Sequence, residues 1–66
     1  MQDRIGLAAG DIYHVLESND EIALTHLARK THLPINLFYM GLGWLARESK
    51  IKFRLDKRTI YVSINK

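Results

Sequence analysis

At Ile51 the spacing of apolar residues changes period. Ahead of it they recur at steps of three and four. After it they alternate: Ile51, Phe53 and Leu55 are interleaved with Lys52 and Arg54, then Ile60, Val62 and Ile64 with Tyr61 and Ser63. A period of about 3.6 residues keeps one stripe of a helix buried, whereas a period of two keeps one face of a strand buried. The chain is therefore expected to be helical in front and to end in a hairpin turning at Asp56-Lys57-Arg58. A lone hairpin is marginal in water, so its apolar face is expected to cover a helical core.

In the front part, Ile5, Ala8, Ala9, Ile12, Val15 and Leu16 mark a first amphipathic helix over residues 4–18, ended by Ser18-Asn19-Asp20. Ile22-Ala23-Leu24 is a short apolar run suited to a strand. Thr25 is placed to cap a second helix of two turns that ends near Thr31-His32. Leu33-Pro34 then breaks the chain, because proline disfavours helix in the residue before it and is tolerated in the first turn of the next helix. The third helix should run from Pro34 to residue 48 or 49, with Ile35, Phe38, Leu42 and Leu45 as its buried stripe.

The order is thus α-β-α-α-β-β, a three-helix core with a short strand and a C-terminal hairpin. Two helices joined by a tight turn and followed by a hairpin describe a winged helix-turn-helix of the α+β class, with the hairpin as the wing. Its 66 residues, 47% of them apolar, suit one small domain spanning residues 1–66. The absence of cysteine removes disulfides, thiolate metal sites and a cysteine nucleophile, and fits a reducing cytoplasm. No apolar run is long enough to span a membrane, and Met1-Gln2-Asp3-Arg4 lacks the order of a signal peptide.

The sequence resembles a family of small bacterial and archaeal winged helix-turn-helix domains of unknown function. The residues carrying the resemblance are Ile5-Gly6, Ala9-Gly10 and Ile12-Tyr13 in helix one and Leu24-Thr25 with Leu27-Ala28 in helix two. Most specific is Leu42-Gly43-Trp44-Leu45-Ala46-Arg47-Glu48 ahead of Ile51. The resemblance covers nearly the whole chain and implies the fold together with a role in DNA binding or regulation. Two positions depart from the usual pattern. Thr31-His32-Leu33 stands where Thr-Gly-Leu is common, so His32 must supply the backbone shape of a glycine. Pro34 replaces a capping serine or aspartate.

The formal charge of +3 is unevenly placed. Residues 1–33 carry five acidic and three basic side chains, and residues 34–66 carry seven basic and two acidic ones. Six of those bases fall between Arg47 and Arg58. Lys52, Arg54, Lys57 and Arg58 on the wing are candidates for phosphate contact, and Asn36, Tyr39 and Arg47 are the groups on helix three able to face a DNA groove. The alternative is a solvated basic face that keeps an exposed strand from aggregating.

Helix three also offers few polar readers. Leu37, Met40, Gly41 and Trp44 form a second apolar stripe, a candidate contact with a protein partner, most simply in a homodimer. The alternative is that Trp44 packs inside the fold and Gly41 merely admits a neighbouring helix. Glu17, Asp20 and Glu21 read as a solvated helix end.

Catalysis has no visible basis. His14, His26 and His32 lack ligand spacing, and there is no phosphate loop, paired carboxylate or nucleophile motif. No metal, cofactor or small-molecule substrate is expected. Two readings stand, a cytoplasmic duplex-DNA binder and an interaction module on the same scaffold.

Overall fold

The computed structural model describes residues 2–66, with side chains from Arg4 onward; Met1 lies outside the described residues. The elements are α1 (Gln2–Glu17), β1 (Ile22–Ala23), α2 (Leu24–Thr31), α3 (Ile35–Arg47), β2 (Ile51–Asp56) and β3 (Thr59–Ile64). The strands form one antiparallel sheet in the order β1-β3-β2. This is the expected α-β-α-α-β-β order. No helix among the described residues is long and apolar enough to cross a membrane.

The core is where the helical stripes meet the base of the sheet. Ile12, Leu16, Leu27, Phe38 and Val62 are its largest fully buried side chains, joined by Ile22, Leu42, Leu45 and Ile51. Each such burial stabilises the fold by about 1.5–3 kcal/mol. α1 packs most extensively against α3, and Gly41 makes that approach possible. A Cβ there would stand only 3.0–3.2 Å from the backbone and side chain of Ala8 and Ala9.

Element ends follow local backbone chemistry. His32 closes α2 in the left-handed region at φ 56°, ψ 21°, the glycine-like shape that its position demanded. Pro34 starts α3 without a side-chain cap, and its carbonyl accepts the Phe38 amide at 2.9 Å. α3 ends in a Schellman arrangement. Ser49 has φ 58°, the Ser49 amide donates to the Ala46 carbonyl, and the Lys50 amide donates to the Leu45 carbonyl, both at 3.0 Å. The helix therefore stops at Arg47, short of residues 48–49. The Asn65 side chain and amide then tie the C-terminal end to the carbonyls of Ser49 and Lys50.

Three further expectations are corrected. Thr25 is not the cap of α2; the helix begins at Leu24 with Ala23 in the cap position and no side-chain hydrogen bond. Ile35 is 56% exposed rather than core, because the first turn of α3 projects past the packing layer that begins at Phe38. The wing covers the core only at its base: Ile51 and Val62 are buried, while Phe53, Leu55 and Ile60 on the same face are exposed, Leu55 at 71%. Strands of six residues reach about 20 Å, which carries the pair of Leu55 and Ile60 beyond the helices. Phe53, level with the buried Val62, is exposed because β2 is the edge strand of the sheet and β3 its central one.

Candidate nucleic-acid interface

The two-residue loop Lys57-Arg58 joins the paired residues Asp56 and Thr59, so Asp56 belongs to β2 rather than to the turn. Lys57 takes a positive φ of 58°, as the first loop residue of some tight hairpins must. Lys57 and Arg58 are exposed and have no ion-pair partner among the described residues. The pairing also fixes the sides of the ribbon. Ile51, Phe53, Leu55, Ile60, Val62 and Ile64 share one face, and Lys52, Arg54, Tyr61 and Ser63 share the other.

Among the described residues, Arg54 is the one wing cation with ion-pair partners. Its Nε and Nη2 donate to the two carboxylate oxygens of Glu21 at 2.9 and 2.7 Å. Its guanidinium lies 4.6 Å from the ring centroid of its cross-strand partner Tyr61, and Asp56 stands 3.6 Å away. The hydrogen bond to Glu21 leads in raising the pKa of Arg54, which stays fully charged. That same bond, with the attraction of Arg54 and Lys52, holds the Glu21 carboxyl below its ordinary value against the opposing effect of desolvation. Glu21 is thus the partner that sequence reasoning missed, having been placed in a merely solvated acidic helix end. It lies 33 residues from Arg54 in sequence, a separation that no local spacing reveals. Ser63, on the same face of the ribbon as Lys52 and Arg54, is buried.

On α3, Asn36, Tyr39 and Arg47 are exposed, as groove-facing groups must be. Tyr39 also packs edge-on against Phe38 at a centroid distance of 5.2 Å. Leu37 is half-buried, and Met40 and Trp44 are exposed at 51% and 42%. Gly41 drops out of this patch, because it is buried against α1. In its place Ile5 and Gly43 join Met40, Trp44 and Arg47 around a shallow depression of about 520 Å³. Arg58 lines a separate depression with Leu24, Thr25, Thr59 and Ile60, beside the start of α2. The described residues contain no cluster of histidine and carboxylate groups able to hold a metal ion.

A helix-turn-helix pair packed on a third helix and followed by an antiparallel hairpin defines a winged helix-turn-helix protein. Within that class the chain belongs to the winged helix-turn-helix domain family DUF2582, whose pattern matches residues 1–64. It is 42% identical over 53 residues to the uncharacterized protein MJ1608 of Methanocaldococcus jannaschii, a match spanning 77% of this chain and 76% of that protein. The solution NMR structure of protein BT2368 from Bacteroides thetaiotaomicron is similar in fold. It gives a TM-score of 0.83 at 32% identity, over 96% of this chain and 77% of that one.

Proposed function

We propose that this protein is a cytoplasmic, non-catalytic duplex-DNA binder, with a regulatory role, whose wing contacts the phosphate backbone. The observation that carries the reading is the pair of exposed cations Lys57 and Arg58 at the wing tip, without an ion-pair partner among the described residues, on a fold of the winged helix-turn-helix family. Lys52 adds a third exposed cation, and Asn36, Tyr39 and Arg47 are the groups that α3 would offer to a groove. With so few base-reading side chains, affinity rests on phosphate contacts, which carry little sequence information and weaken with salt. Titrating a labelled random-sequence duplex at about 50 mM and about 200 mM salt tests this. Micromolar protein should bind in a salt-sensitive way, and Lys57→Ala with Arg58→Ala should weaken binding regardless of sequence. No salt-sensitive binding would overturn the reading.

A second reading is favoured by the depression formed by Ile5, Met40, Gly43, Trp44 and Arg47. In it the same scaffold serves protein contact, in the simplest case between two copies of this chain, through Leu37, Met40 and Trp44. Sedimentation should then show a dimer that Trp44→Ala dissociates. A wild type that stays monomeric at high concentration excludes self-association.

A further inference from the structure

Four cations stand on the wing, and three of them, Lys52, Lys57 and Arg58, have no ion-pair partner among the described residues. Arg54 presents Nε and Nη2 side by side, the edge with which a guanidinium grips two oxygens of a phosphate or a carboxylate. Glu21 holds both donors, at 2.9 and 2.7 Å. The guanidinium also stands over the ring of Tyr61 on the other strand, 4.6 Å from its centroid. Asp56 stands 3.6 Å from the third guanidinium nitrogen, so two carboxylates face this one side chain.

We propose that Glu21 is an autoinhibitory gate on the wing: its carboxylate occupies the donor edge of Arg54 that would otherwise take a nucleic-acid phosphate, and full engagement requires the phosphate to displace it. This rests on the reading that the wing meets phosphate, and adds how that contact is tuned. The fold does not require the pair. Glu21 sits on the bend between α1 and β1, Arg54 and Glu21 are both solvent-accessible, and the core lies elsewhere. Exposed ion pairs are individually weak and exchange readily. The gate therefore sets affinity by a modest factor and sharpens the preference for surfaces dense in phosphate over those with isolated anions.

The test compares wild type, Glu21→Gln, Asp20→Asn and the Lys57→Ala/Arg58→Ala double variant on the same random duplex across a salt series. Asp20 is the control, since it neighbours Glu21 but has no ion-pair partner among the described residues. Glu21→Gln should bind about three- to tenfold tighter than wild type at low salt, with a salt slope steeper by about 0.9, the signature of one added phosphate contact. Asp20→Asn should change affinity by less. A Glu21→Gln protein no tighter than Asp20→Asn overturns the gate, because the gain is then one of bulk charge. If in that case the double variant still weakens binding, the DNA reading survives and the gate alone fails. If no variant binds in a salt-sensitive way, both fail.

Discussion

A Cβ placed on Gly41 would stand 3.0 Å from the backbone nitrogen of Ala9, so α3 and α1 meet almost backbone to backbone. The neighbours at that point are main chain and a methyl group, neither of which can swing aside. Gly41→Ala should therefore push the helices apart and destabilise by about 1–2 kcal/mol, overpacking outweighing the gain in helix propensity. Gly43, two residues on, has nothing within 4 Å of the same position. Gly43→Ala should stabilise by about 0.5–1 kcal/mol. Denaturant unfolding of the two variants checks this, and effects of the same sign would contradict it.

The wing should show a gradient of energetic importance along its length. Val62 is fully buried at its base and Leu55 largely exposed near its tip, although both lie on one face. Val62→Ala should cost about 1.5–3 kcal/mol through lost burial and a residual cavity. Leu55→Ser should stay within about 0.5 kcal/mol. Thermal melts would refute this if Leu55→Ser proved the more damaging change.

The ion pair between Glu21 and Arg54 has a pH signature. Arg54 holds the Glu21 carboxyl below its ordinary value of 4.5, chiefly through their hydrogen bond. A carboxyl whose folded-state pKa is depressed contributes stability that is present above the unfolded value and lost as pH falls through the folded one. The difference in melting temperature between wild type and Glu21→Gln should thus be steady near neutrality and vanish below pH 4.5. Both side chains are exposed, so added salt should also shrink it. A difference that persists undiminished well below the carboxylate range would show that the pair is not its source.

Local periodicity made the architecture legible. The change of step at Ile51, the break at Leu33-Pro34 and the alternation to Ile64 place every element within a few residues of its observed bounds. His32 could be anticipated in a left-handed conformation because the family that the sequence resembles commonly has glycine at that turn. What local patterns lack is depth. Ile35 and Phe38 lie on one helical stripe, yet only Phe38 reaches the core, and Phe53 pairs directly with the buried Val62 but stands exposed on the edge strand of the sheet. The helical wheel likewise put Gly41 beside Trp44 without saying which flank packs on α1. At the candidate site, the exposure of Lys57, Arg58, Asn36 and Arg47 agreed with expectation. The pairing of Arg54 with Glu21 did not announce itself, because it joins a bend before β1 to a strand far along the chain.

The central claim is that the wing tip meets nucleic acid. An amide chemical-shift map recorded with a random-sequence duplex at low salt tests it most directly. Perturbations are predicted at Lys57, Arg58 and Lys52, with smaller ones at Asn36, Tyr39 and Arg47, all fading as salt is raised. A map that leaves Lys57 and Arg58 unmoved, whether blank or confined to Ile5, Met40 and Trp44, would contradict the account.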